Sequence, residues 1–534
     1  MANNESWKNE RFLIPILIVL CLILFFFQLG TRPIWDIDEG KHATTSKEMV
    51  LSSDWITPTF NGEPFYDKPI LYNWLAALAF LAFGFTEFAA RLPSAVLGSG
   101  CVMVTYLLGR KISGPILGFL SGTILATSFE FIVLSRAVVH DICLAFFITL
   151  ALYLFYLGYR DEKHRKRNLL LFYAALGFAV LAKGPVGLAI PAMTIGLFLL
   201  YEKKMGFIRE MQIGWGILIF LGIASPWYVL ISLKNPEYAA YFFIKQNLGN
   251  FLSAETRHPG PFYYYIPVLF GGFFPWSCFL PLAVIYAFRR RFTTVHNGVL
   301  FIIIWFSIVF IFFSAATSKL ATYILPLFPA ASILVAILWH ELLKKPSGEI
   351  RKGFMLSFLP VVILSLAAMI YLWFYPLVQI EYESGITPAQ MNFLAIWTVV
   401  CIVSTFLFFV IKRDLLFFSA IGVTVVSTLI IFLQIIVPSV NPYRSSREFA
   451  RLYDQLIPPD EKLVFYRRIK ESALFYTNRK AIVLKTPDAI SEYLDSPQRV
   501  FCIVTRKRLA NLESMPYVVE QQGDKLLISN RKTF

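Results

Sequence analysis

Apolar residues in this chain gather into runs, many of about 17–25 residues, the length that carries a helix across a bilayer. They cover residues 12–29, 70–85, 92–108, 112–134, 142–157, 169–181, 186–200 and 213–233. The series continues over 262–288, 299–316, 321–343, 354–375, 391–411 and 415–437. Two stretches break this rhythm. Residues 34–73 carry Asp36, Asp38, Glu39, Asp54, Glu63 and Asp67 together with Lys41, His42 and Lys68. From Pro438 onward the runs become short. Residues 463–467, 481–485, 499–504 and 525–529 read as strands, and Ser445/Ser446 can cap a helix reaching about Leu456.

Charge decides which runs cross. Basic clusters face the cytoplasm, and here they are Lys8/Arg11, Arg110/Lys111, residues 160–167, Lys203/Lys204, residues 289–291, residues 344–352 and Lys412/Arg413. If residues 70–85 span, Arg110/Lys111 and every later cluster fall outside; if they do not, all fall inside. That run also follows Pro69 directly and is short and aromatic, so it reads as an interfacial or re-entrant helix. The expectation is a polytopic α-helical membrane protein of about 13 transmembrane helices with outer juxtamembrane helices. It divides into a membrane domain over 1–437, with a first outer loop at 30–90, and a small outer α/β domain over 438–534. The N-terminus is then cytoplasmic. The loop shares the outer side with the turns at 136–141, 183–187 and 318–323, the loop at 234–260 and the C-terminal tail.

Composition agrees. Of 534 residues 57% are apolar and 16% charged, against roughly 25% charged in ordinary soluble domains. The net charge of +15 sits mostly in short loops, which positive-inside topology explains better than nucleic-acid binding. The six cysteines are scattered, with no metal-ligand spacing and no disulfide framework. The first run lacks a small-residue cleavage site and reads as a retained helix. Nucleotide-hydrolase, serine-hydrolase and zinc-protease motifs are missing. An outer-facing site then needs an activated donor that arrives in the membrane, most simply a lipid phosphate.

Several residues offer chemistry. In an extended segment Asp36 and Asp38 point to one face and could flank one site, against the reading of a solvated loop end. Lys68, beside Pro69, sits at headgroup depth, where it either holds a phosphate or snorkels as an anchor. Asp141, near Arg136 and His140, is a site carboxylate or a helix cap. Lys183 is a cation on the outer side, a placement that phosphate binding would explain. His258 reads three ways, as metal ligand, proton carrier or hydrogen-bonded loop residue. Lys319 and Tyr323 add a further cation and a hydroxyl.

These blocks resemble the GT-C membrane glycosyltransferases, specifically the bacterial aminoarabinose–lipid A transferase and protein O-mannosyltransferase-like group. The resemblance lies in WDIDEGKHAT (35–44), DWITPTFNGEPFYDKPILYNW (54–74), EFAARLPSAVLG (87–98), SRAVVHDICLAFF (135–147), LAKGPVGL (181–188), TRHPGPFYYY (256–265) and SKLATYILPLFP (318–329). It implies a GT-C fold and an inverting sugar transfer from a polyprenyl-phosphate-linked donor on the outer, periplasmic face of a bacterial inner membrane. The acceptor is lipid A or another envelope glycan or protein. A protein O-mannosyltransferase-like reaction on a hydroxyl is the alternative, and a polyprenyl-lipid transporter or flippase is the rival of another class.

By the same resemblance Asp38 is the catalytic aspartate and Asp141 the second site aspartate. Lys68, within Asp67-Lys68-Pro69, holds the lipid phosphate, and Lys319 and Tyr323 complete that site. Glu39, Lys41, His42, Arg136, Lys183 and Arg257 join the substrate-binding set. No cofactor is obligatory, although Asp67 and His258 would hold a divalent metal ion in some members. One departure stands out: the family usually has Asp-Glu-x-Arg-Tyr after the first span, where this chain has Asp38-Glu39-Gly40-Lys41-His42.

Overall fold

The computed structural model describes residues 10–242, 249, 258–290, 296–344, 346–374, 385–458, 461–509 and 516–532. Most of the chain is helical. The first ten α-helices are α1 Glu10–Cys21, α2 Asp38–Ser52, α3 Leu71–Phe83, α4 Glu87–Ser113, α5 Pro115–Ala126, α6 Phe129–Ser135, α7 Asp141–Arg160, α8 Arg165–Lys183, α9 Val186–Tyr201 and α10 Ile213–Lys234. Among the described residues eight helices are long and apolar enough to cross a membrane, or ten if each of two bent pairs is one span. The expected thirteen is reached only by adding α1 and α9, which are short, and α8, whose first turn is basic. With 13 residues, α3 is about 20 Å long and falls short of a roughly 30 Å hydrocarbon core.

Two apolar runs that read as continuous are broken. The first turns by 70° between α5 and α6, and the second by 119° between Tyr265–Gly272 and Trp276–Phe288. Polar side chains explain the first break. Thr127 and Ser128 return their hydroxyls to the carbonyls of Thr123 (2.6 Å) and Ile124 (2.7 Å), a bond that bends helices. The breaks then satisfy each other: the Phe129 amide donates to the Phe274 carbonyl at 3.0 Å, and the Trp276 indole donates to the Thr127 hydroxyl at 2.8 Å. Within lipid, a broken helix persists only with such partners.

A two-stranded ribbon follows α2, made of β1 Thr59–Phe60 and β2 Glu63–Pro64. The C-terminal sheet has the order β4-β3-β5-β7-β6, from β3 Leu463–Tyr466, β4 Ala481–Leu484, β5 Phe501–Thr505, β6 Tyr517–Gln522 and β7 Lys525–Ser529. β3 runs parallel to β4 and β5, whereas β7 pairs antiparallel with β5 and β6. The edge strand β6, largely exposed, was not among the strands read from the sequence, because its run of glutamate and glutamines carries no apolar alternation. Central strands β3, β5 and β7 are buried and apolar.

The sheet unit rests directly on α2. Gly40, Thr44 and Lys47 share one face of that helix. A Cβ at Gly40 would lie 2.7 Å from the Ser472 amide nitrogen, so only glycine allows this approach. Lys47 donates to the carbonyls of Phe475 (2.6 Å) and Thr477 (3.0 Å), and Asn61 exchanges two hydrogen bonds with the Ala481 backbone. Tyr476 closes the seam by donating to Glu87 at 2.9 Å and accepting from the Ile34 amide at 2.7 Å.

Candidate active site

The start of α2 separates the two leading aspartates. The extended geometry expected for Asp36 and Asp38 does not occur, because Asp38 is already the first residue of a helix. Asp36 turns to the sheet unit, where one oxygen accepts the Ser472 amide at 2.7 Å and the other lies 3.6 Å from the Lys525 ammonium. Asp38 stays exposed on the same helical face as His42, four residues on. The two carboxylates therefore do not flank one site.

Three other expected binding residues are used to build the protein. Glu39 accepts from Arg32 (2.9 Å), from Arg91 (2.8 and 3.0 Å) and from the amides of Trp35 and Val138. Burial pushes its carboxyl up, but the two guanidiniums outweigh that and hold it at about 2. Arg136 donates to the carbonyls of Leu24 (2.8 Å) and Phe27 (2.7 Å), groups that the end of the first helix leaves without partners. Lys319 is buried and donates to the carbonyls of Phe313, Ser314 and Ala316 at 3.3, 2.8 and 2.6 Å. Its ammonium caps the helix His296–Ala315 instead of facing a ligand. All three make these contacts for one reason: a buried charge takes the nearest carbonyl or counter-ion, and here that partner is structural.

The remaining residues converge. Asp67 and Lys68 pair at 3.4 Å. Burial opposes the charge on both. Lys68 still holds the Asp67 carboxyl below its ordinary value, while Asp67 and Asp141 hold the Lys68 ammonium above its own. Lys183, at the end of α8, pairs with Asp141, at the start of α7, and its ammonium lies 4.0 Å from the centre of the Tyr323 ring. The field of Asp38 reaches both His42 and Tyr323. Lys41 is half-buried and adds positive potential at Asp67. Five separate stretches thus bring Asp38, His42, Asp67, Lys68, Asp141, Lys183 and Tyr323 into one polar cluster.

Sequence reasoning missed its floor. His140 is buried, its ring edge-on to His42 at 4.4 Å and 5.0 Å from Tyr72. Neither of its nitrogens has a hydrogen-bond partner among the described residues. The only signal was its position between Arg136 and Asp141. Burial first, and then the neighbouring Lys68, keep His42 below its ordinary value despite the pull of Asp67 and Asp38, so the pair is uncharged at neutral pH.

Arg257 lies outside the described residues. His258 is exposed and accepts the Lys319 amide through its carbonyl at 2.8 Å. Among the described residues no group of three or more histidine, cysteine, aspartate or glutamate side chains could hold a metal ion. Asp67 faces Lys68 and His42, so among the described residues Asp67 and His258 do not form an assembled metal-ligand set.

What the cluster can do follows from its charges. Lys68 and Lys183 are cations at the membrane edge that can hold a phosphate, and Asp38 is a carboxylate open to a second substrate.

Comparison with known proteins agrees with this chemistry. Residues 67–230 match the family described as dolichyl-phosphate-mannose-protein mannosyltransferase. A protein of Aquifex aeolicus without an assigned role is 31% identical over 381 residues, covering 70% of this chain and 72% of the relative. The undecaprenyl phosphate-alpha-4-amino-4-deoxy-L-arabinose arabinosyl transferase 2 of Proteus mirabilis is 31% identical over 342 residues, and the chain spans 60% of that relative's length. The crystal structure of ArnT from Cupriavidus metallidurans bound to undecaprenyl phosphate superposes with a TM-score of 0.80 at 23% identity, covering 99% of both chains, a likeness of fold. The chain belongs to the GT-C membrane glycosyltransferases, in the group of aminoarabinose–lipid A and protein O-mannosyltransferase-like enzymes.

Proposed function

We propose that this glycosyltransferase moves an amino sugar from a polyprenyl-phosphate donor to lipid A or another envelope acceptor on the periplasmic face of a bacterial inner membrane. The observation that carries the reading is the convergence of Lys68, Lys183 and Tyr323 near the exposed Asp38. Relatives named for undecaprenyl-phosphate aminoarabinose transfer support the donor class. Basic clusters on the opposite side of the spans support the orientation, with the N-terminus cytoplasmic and the sheet unit outside.

In this mechanism an acceptor oxygen attacks the anomeric carbon from the face opposite the phosphate. The bond between that carbon and the phosphate oxygen breaks, its electron pair stays on the phosphate, and the configuration inverts. Lys68 and Lys183 meet the charge that grows on the departing polyprenyl phosphate, which preorganised cations stabilise strongly. Asp38 orients the acceptor. If the acceptor is a hydroxyl, Asp38 also takes its proton; a phosphate acceptor is already a nucleophile and needs only positioning.

Transfer should proceed in detergent from a supplied polyprenyl-phosphate sugar, with no ion gradient. A lipid transporter would show no product there. Asp38→Asn should lower turnover by roughly 100- to 1,000-fold at an unchanged melting temperature, since the side chain is exposed. Full activity in that variant would move catalysis to another residue.

A further inference from the structure

Glu130 is a second acidic group beside the cluster that the mechanism above does not use. It lies in the first turn of α6, just past the break with α5. The residue is 9% exposed, and neither carboxylate oxygen has a hydrogen-bond partner among the described residues. On one side it abuts Gly272, the last residue before the break in the other bent span, where no side chain is available to bond it. On the other side its field overlaps that of Asp141. Helix α6 also packs against the turn Ala321–Leu327, which carries Tyr323.

A buried carboxylate without partners is costly at membrane depth, and such groups are kept where a substrate or ion completes them. Of the two acidic groups here, Asp141 is already matched by Lys183. Glu130 is the one left for a cationic guest. The guest of fitting chemistry is a protonated amine on the donor sugar. Asp141 lies beside both Lys68 and Lys183, so a sugar whose phosphate those lysines held would have Asp141, and Glu130 behind it, within its surroundings.

We infer that Glu130 is the counter-ion for the ammonium group of the donor sugar, so that the meeting of the two broken spans selects an amino sugar over an uncharged one. This rests on the donor reading above and adds a residue that sets specificity. Binding would form charge-assisted hydrogen bonds from the ammonium to the carboxylate, the strong class of such bonds. An uncharged, N-acylated sugar would leave Glu130 unmatched.

The test compares two polyprenyl-phosphate donors in detergent, one carrying a free 4-amino pentose and the other its N-acetyl derivative. The wild type should prefer the free amine. Glu130→Gln, which keeps the shape and removes the charge, should lose about 10- to 100-fold in kcat/KM for the amino donor, mostly through KM. Its rate with the N-acetyl donor should be maintained or raised, and that donor controls for folding. Glu130→Asp should retain the preference. Equal loss on both donors, or an undiminished preference in Glu130→Gln, would overturn the inference and leave the transferase reading standing. Failure of the wild type to use either donor would sink that reading and the inference with it.

Discussion

Glu39 separates a binding residue from a structural one, and the structure makes the difference measurable. Its carboxyl is held at about 2 against an ordinary 4.5, which corresponds to about 3 kcal/mol of folded-state stability. Not all of that is net gain. Burial pushes Arg32 down to about 9, so this guanidinium loses hydration that its attraction to Glu39 does not recover. Arg91, which also donates to the carbonyls of Leu29, Arg32 and Pro33, is the firmer partner. Glu39→Gln would leave both guanidiniums without their counter-charge, a change that costs roughly 3–5 kcal/mol in buried pairs. Thermal unfolding in detergent, followed by tryptophan fluorescence, should show a clear drop in melting temperature at pH 7. Because the folded carboxyl is depressed, its contribution is complete above the ordinary 4.5 and is lost as the pH falls toward about 2. The variant and the wild type should therefore converge in stability on acidification. The folded variant should keep its KM for the donor within about twofold, a shift of under 0.5 kcal/mol. An unchanged melting temperature together with a raised donor KM would refute the reasoning and return Glu39 to the binding site.

The other expectations follow the same division between site and frame. His42→Tyr, the residue usual in the family, should keep transfer near neutral pH, where the buried imidazole is uncharged. It should also remove an acid-side loss of activity that sets in below the histidine's ordinary 6.5, where protonation would bring a third cation beside Lys41 and Lys68. A pH profile identical to the wild type would exclude His42 from that limb. Lys319→Met should destabilise the fold by roughly 2 kcal/mol, since a buried ammonium bonded to three carbonyls is lost, and should leave the donor KM unchanged. A tenfold rise in that KM at normal stability would restore Lys319 to the phosphate site.

Docking of the C-terminal sheet gives α2 two jobs. One helical face carries Asp38 and His42 toward the cluster, and the other carries Gly40, Thr44 and Lys47 against the sheet unit. Asp36, one residue outside the helix, fastens the same seam from the loop side. The sheet unit thus fixes the rotation of the helix that presents Asp38, and the catalytic loop gains a rigid backing that its own polar sequence could not provide. Burying charged groups in that seam has a cost, visible at Lys525, whose ammonium burial pushes down to about 8.

The sequence by itself determined a great deal. Apolar runs of bilayer length admit only helices, because lipid offers the backbone no partner. The charge asymmetry singled out residues 70–85, where α3 has 13 residues. The blocks around Asp38, Asp67-Lys68, Asp141, Lys183 and Tyr323 were legible as residue types that handle phosphate and sugar. What only the tertiary structure decided was the partner of each charge. Glu39, Arg136 and Lys319 are indistinguishable in type from the residues that line the cluster. They became structural because Arg91, the carbonyls of Leu24 and Phe27, and the end of the helix His296–Ala315 came to lie beside them. Asp36 and Asp38 were parted by where α2 begins, a boundary that the local sequence sets only loosely. Glu130 and His140 stood out only after folding, because an unmatched buried group is defined by what surrounds it. Composition and period dictate which elements form, whereas the use of a charge depends on the distance to its counter-charge, and that distance exists only in the fold.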